Sequence, residues 1–224
     1  MIKIIHIDFD TEFTFDRRAN SLCFESPTHF AKAVYDLKKS MEEDGERFRF
    51  SEGATMLKPS KIAVALTDYY SLDGWLKKIN SLLSKRLLSE ILNEQYEITK
   101  IYGQLYNLID NVAQEYDAPI MLNEDCDYST LIKLLNPMVN VESETLLERL
   151  VDFINLCVEF LKIKVLILVD VKHYLEENEL LSLAKHCALK EVGLFMLGSS
   201  CPYCIDGERA VVIDKDYCEI LVKE

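Results

Sequence analysis

Apolar residues in this chain fall into two patterns: short unbroken runs, and stripes recurring every three or four positions. The clearest run is Lys164-Val165-Leu166-Ile167-Leu168-Val169-Asp170, five aliphatic residues, β-branched at Val165, Ile167 and Val169, closed by a carboxylate. Strict alternation would mark a strand with one wet face. An unbroken run of this length marks a strand covered on both faces, as in the middle of a parallel sheet. Weaker runs occupy residues 2–7, 62–66, 192–197 and 210–213. The expectation is a mainly parallel sheet built around 164–169, interrupted by one long helical excursion.

The stripes place the helices. Ser26 caps and Pro27 opens a helix whose Phe30, Val34 and Leu37 share a face, running to about Met41. A turn at Arg17-Arg18-Ala19-Asn20 precedes a brief strand at Ser21–Phe24, and Gly45 marks a turn before a strand at Phe48–Ser51. From Trp75 the pattern is strongly helical, with Leu76, Ile79, Leu83, Leu87 and Ile91 in one stripe. A second helix covers roughly 98–116 through Ile101, Leu105, Leu108, Ile109 and Val112, and Pro119 ends it. Short helices follow near 128–136. A longer helix, capped by Ser143, runs to about Phe160; Leu146 stands where a capping box needs Glu or Gln. Glu176–Leu189 is amphipathic, with Leu180, Leu183, Ala184 and Cys187 on one side, and a β pair at 210–213 and 218–222 closes the chain. The predicted architecture is a discontinuous α/β head, 1–68 and 162–224, carrying an inserted α-helical leg, 69–161.

Composition changes this picture little. The chain is 49% hydrophobic and 28% charged, ordinary for a globular protein, and no apolar run reaches the ~18 residues that span a bilayer. The N-terminus lacks the basic start and apolar core of a signal peptide, so a cytoplasmic protein with no membrane partner is expected. Seven widely spaced cysteines suit reduced thiols better than a disulfide framework. Charge matters more. The net charge is −13, yet residues 58–100 hold seven Lys/Arg against five acids, while 101–150 hold two against nine. A local basic face on an acidic chain is compatible with those numbers.

Several chemistries can be weighed by motif. Cys201-Pro202-Tyr203-Cys204 is the redox tetrapeptide of glutaredoxins, but in that fold it follows the first strand and opens a helix, whereas here the residues that follow read as strands. The plain reading is a loop with two incidental cysteines; the alternative is a thiol-disulfide oxidoreductase using this pair. No Gly-x-x-x-x-Gly-Lys-Ser/Thr loop or Gly-x-Ser-x-Gly elbow is present, which argues against an NTPase or a hydrolase of those types. His6, His29, His173 and His186 are not spaced as metal pairs. On the helix from Trp75, Lys77, Lys78, Ser81, Ser84 and Lys85 fall within roughly a third of the circumference, away from the apolar stripe, with Arg86 flanking. Lys58 and Lys61 precede the excursion. Small serines between lysines would let a phosphate backbone approach, although a single helix face of this kind is first of all a solvated surface. Asn123-Glu124-Asp125-Cys126-Asp127 offers oxygen ligands at close spacing but lacks the glycine and terminal glutamate of an EF-hand, and by itself reads as a solvated loop.

Taken together, Phe50-Ser51, Leu57-Lys58-Pro59-Ser60-Lys61, Thr67-Asp68, Ser71-Leu72-Asp73, the run Lys164–Asp170 with Tyr174-Leu175 and Glu179-Leu180, strand 192–197 and Ile213-Asp214-Lys215-Asp216-Tyr217 resemble the type II-A CRISPR-associated adaptation protein family over most of the length. That resemblance implies a head of degenerate P-loop NTPase-like topology, a helical leg and a homotetrameric ring. It implies no catalytic activity, and binding of linear double-stranded DNA ends without sequence preference in a lysine-lined channel. It further implies calcium, and partnership with the CRISPR integrase and effector nuclease in spacer acquisition. Under it, Lys58, Lys61, Lys77, Lys78, Lys85, Arg86 and Lys133 are the candidate DNA-binding residues, and Asn123, Glu124, Asp125 and Asp127 the candidate calcium ligands. An acidic α/β interaction scaffold without DNA binding is the third reading.

Overall fold

The computed structural model describes residues 1–15, 19–43, 47–123, 125, 127–141 and 143–223. The turn expected at Gly45 lies outside them, as does the first half of the turn expected at Arg17-Arg18-Ala19-Asn20, whose second half, Ala19 and Asn20, instead opens a strand. The chain forms two compact units, Met1–Leu72 with Val141–Glu224, and Asp73–Asn140.

The first unit is mixed α/β and contains two sheets. Strands β1 (Ile2–His6), β2 (Glu12–Thr14), β4 (Phe48–Glu52) and β5 (Thr55–Leu57) form an antiparallel sheet in the order β2-β1-β4-β5. The second sheet has the order β10-β9-β3-β8-β7-β6, from β3 (Ala19–Phe24), β6 (Ala63–Leu66), β7 (Val165–Val169), β8 (Gly193–Gly198), β9 (Glu208–Ile213) and β10 (Glu219–Lys223). All its pairings are parallel except β9–β10.

The run at 164–169 is therefore a central strand, flanked by β6 and β8 and buried at every residue. The strand at the N-terminus is not part of that sheet. Its burial alternates residue by residue, as a strand with one packed face requires, and it pairs antiparallel with β2 and β4. Side-chain alternation on β7 divides the core. Val165, Ile167 and Val169 join Leu22, Phe24, Phe195, Leu197, Val211 and Ile213 in one cluster with Ile2, Ile4, Phe13, Phe48 and Phe50 of the other sheet and Leu37 of α1 (Pro27–Glu43). Leu166, Leu168, Leu194 and Met196 are buried on the opposite face, where α7 (Glu177–Leu189) packs on β8 and buries Leu180, Leu183 and Cys187.

Two local expectations are corrected. The long helix before β7 is α6 (Leu146–Leu156), continued by a π-helical turn over Cys157–Leu161, and its cap is Thr145 rather than Ser143. Thr145 Oγ1 accepts from Glu148 N at 3.2 Å while Glu148 Oε2 accepts from Thr145 N at 3.2 Å, a complete capping box displaced by two residues from the expected start. Because α6 packs on α7, residues 141–161 belong to the α/β unit; the expected border at 161/162 falls at 140/141.

The second unit contains α3 (Asp73–Ile91), α4 (Gln95–Ala113) and α5 (Tyr128–Leu135), preceded in the first unit by the short α2 (Pro59–Ile62). α5 packs on α3, and Asn80 Oδ1 accepts from Val139 N at 2.9 Å.

Candidate nucleic-acid interface

On α3 the apolar stripe behaves as its period demands. Ile79 is fully buried, and Leu76, Leu83, Leu87 and Ile91 are half-buried. Packing fixes the helix's rotation, so the polar arc faces outward: Lys77, Lys78, Ser81 and Lys85 are exposed and Ser84 is half-exposed, its Oγ donating to Asn80 O at 2.9 Å. The helix carries Lys77, Lys78, Lys85 and Arg86 against Asp73 and Glu90, one acid at each end. Lys78 Nζ lies 5.5 Å from the centroid of the Trp75 ring, which holds the long side chain against an aromatic face. Arg86 Nε is 3.1 Å from Glu90 Oε1, so its charge is partly neutralised within the helix. Lys133 is exposed in the last turn of α5, in the same unit. Lys58 and Lys61 are exposed beside and within α2, in the other unit. Thus Lys77, Lys78 and Lys85 share one surface of one helix.

The loop at 123–127 is tied to the chain's own donors. Asn123 Oδ1 accepts from Asp125 N at 3.1 Å, and Tyr102 OH donates to the carbonyls of Asn123 and Asp125 at 2.9 and 3.2 Å. Asp127 is the N-cap of α5: its carboxylate accepts from Ser129 N at 2.9 Å, Ser129 Oγ at 3.1 Å and Thr130 Oγ1 at 2.6 Å. The Thr130 and Ser129 hydroxyls hold its pKa down, to about 2. Asp125 is exposed, and Glu124 lies outside the described residues. Among the described residues no three His, Cys, Asp or Glu side chains converge on a point that could hold a metal ion. Tyr102, which organises it, carries no sequence signal beyond its position on α4.

The same unit exposes an apolar seam. Ile98, Ile101, Leu105, Leu108 and Val112 recur along α4 at alternating spacings of three and four. Ile101, Leu105, Leu108 and Val112 are 64%, 49%, 62% and 50% exposed. Periodicity identifies this stripe but not its exposure.

Two connections bear on the sequence motifs. The connection between β3 and α1 is Glu25-Ser26 alone, too short for a loop of backbone N–H groups to surround a triphosphate. No helix opens at Cys201; the residues after it lead into β9. No helix among the described residues is long and apolar enough to cross a membrane.

The fold is thus an α/β unit built on a mostly parallel six-stranded sheet, with a helical unit inserted between β6 and α6. Residues 40–217 match the family described as CRISPR-associated protein (Cas_Csn2), and the chain belongs to that family.

Proposed function

We propose that this CRISPR-associated protein is a non-catalytic, double-stranded-DNA-binding protein acting in spacer acquisition. In this reading it forms a homotetrameric ring that threads linear DNA ends and works with the integrase and effector nuclease of the system. The observation that carries the proposal is the outward arc of Lys77, Lys78 and Lys85 on a helix whose opposite side is packed. Each lysine that meets a phosphate releases condensed counterions, adding about 0.9 to the slope of log affinity against log salt. The net charge of −13 supports the same reading, because an acidic surface elsewhere repels DNA and leaves the basic arc as the attractive one.

Two further features support assembly. The α4 seam has the spacing with which one helix packs into another, and its exposure leaves it available to a second copy of the chain. A closed ring would turn weak phosphate contacts into long residence, since threaded DNA must leave by an end. Calcium belongs to this proposal as an ion at the 123–127 loop, where Asn123, Glu124, Asp125 and Asp127 would supply oxygens after some of the present donors give way.

The test is a gel-shift titration of linear duplex and of covalently closed circles of the same sequence, at several salt concentrations. Binding to linear duplex alone is expected. Equal binding to both would refute threading. Lys77→Glu, Lys78→Glu and Lys85→Glu together should weaken linear-duplex binding at least about tenfold, since they reverse three phosphate-facing charges. Unchanged affinity would favour the protein-interaction scaffold.

A further inference from the structure

The loop after β8 brings together groups that DNA binding does not use. Asp170, directly after β7, has a left-handed backbone (φ 57°); its N–H donates to Leu197 O at 2.8 Å and its Oδ1 accepts from Ser199 N at 2.6 Å. That turn delivers Lys172, which is buried. An ammonium has three N–H donors. Here they reach Glu208 Oε1 at 2.6 Å, Tyr203 O at 2.8 Å and Cys201 Sγ at 3.5 Å. Glu208 is fully buried and satisfied besides by Ser21 Oγ and by Ile205 N at 2.8 Å, so the carboxylate fixes the ammonium rather than exchanging with solvent.

Around the Cys201 sulfur stand two more thiols. Cys204 Sγ is 3.5 Å away, and the Cys23 thiol of β3 is a neighbour that shares in the titration of Cys201. Gly198 allows this approach: a Cβ there would lie 2.9 Å from Ser200 O and 3.0 Å from Cys23 Sγ. Cys23 is buried, whereas Cys201 and Cys204 are half-exposed. The neighbouring Cys23 thiol, with the Lys172 charge and the Cys204 thiol, holds the Cys201 pKa down to about 6, against the burial and Glu208 that oppose it. Burial and the bond to Cys201 push Cys204 up to about 11. One half-exposed thiolate beside one half-exposed thiol is the asymmetry that disulfide exchange requires.

We propose that Cys201 and Cys204 form a reversible thiol–disulfide exchange site for low-molecular-weight disulfides, with Lys172 as the positioning residue that holds the attacking sulfur. The Cys201 thiolate attacks one sulfur of RSSR; the new S–S bond forms, the reagent's S–S bond breaks, and RS⁻ leaves with the charge. Cys204 then attacks Cys201 Sγ; the intramolecular disulfide forms, the mixed disulfide breaks, and the second RS departs as RSH with the Cys204 proton. Two protein thiols lose two electrons and RSSR gains them. The lysine replaces the helix N-terminus that activates such a pair in glutaredoxins. This site lies wholly in the α/β unit and is independent of the DNA-binding proposal.

The experiment uses the full chain without DNA. Iodoacetamide trapping across pH 5–9 with peptide mapping should give Cys201 a reactivity midpoint of about pH 6. Oxidised glutathione should link Cys201 to Cys204, and Cys204→Ser should trap glutathione on Cys201. Lys172→Met should raise the midpoint toward the ordinary thiol range. Trapping at pH 7 should then slow roughly tenfold once the midpoint reaches about 8, because the thiolate fraction falls by that factor. Should that variant misfold with Glu208 left unpaired, Lys172→Met with Glu208→Leu removes both charges and tests the same point. A wild-type midpoint near the ordinary ~8.5, a profile unmoved by losing Lys172, a Cys23–Cys201 link, or no link at all would each overturn the proposal.

Discussion

β7 and α4 are both apolar segments that periodicity alone picks out, and they reach opposite environments. Every residue of β7 is buried, between two parallel neighbours and with packing on both faces. The α4 seam is about half exposed at four of its positions. The contrast extends to the units that hold them. Among the described residues of 73–140, only Ile79 and Ile132 are buried, whereas the α/β unit buries apolar side chains on both faces of its parallel sheet. Burying one aliphatic side chain contributes roughly 1.5–3 kcal/mol. The α/β unit therefore buries far more apolar surface than the helical unit, whose apolar seam and lysine arc are exposed.

Substitutions on either side of this contrast should differ in size. Ile167→Ala, in the centre of β7, is expected to cost about 2–5 kcal/mol in urea unfolding, because a packed strand cannot close over the lost volume. A cost below about 1 kcal/mol would mean that the cluster shared by the two sheets is not the main core. Thr145→Ala removes one half of a capping box and should cost about 1 kcal/mol in the same measurement; an unchanged midpoint would show that α6 is held by packing alone. Leu105→Ser with Leu108→Ser should alter chain stability by no more than about 0.5 kcal/mol at dilute concentration, as exposed positions do. The same pair should lower the mass seen by light scattering. If it unfolds the chain instead, the seam is core and the contrast collapses.

Much of this is legible along the chain. The unbroken run at 165–169 reads as a doubly covered strand, and the lysine arc of α3 reads as outward, because both follow from periods of a single element. The capping box is displaced by two residues because Ser143 and Thr145 are both good cap residues, and only the reciprocal bond between Thr145 and Glu148 separates them. The N-terminal strand resembles a member of the parallel sheet because its run, Ile2 to Ile7, is nearly continuous except at Lys3 and His6; its burial, not its composition, alternates.

What the sequence by itself determined is local: where strands and helices lie, which face of α3 is apolar, and where cations gather. Which strands share a sheet, whether α4 is covered, and what surrounds Cys201 were decided by tertiary structure. The physical reason is separation along the chain. Ser21 and Lys172 meet on Glu208, and Lys172 reaches Cys201, because β3 lies between β8 and β9, and no spacing within one segment encodes that adjacency.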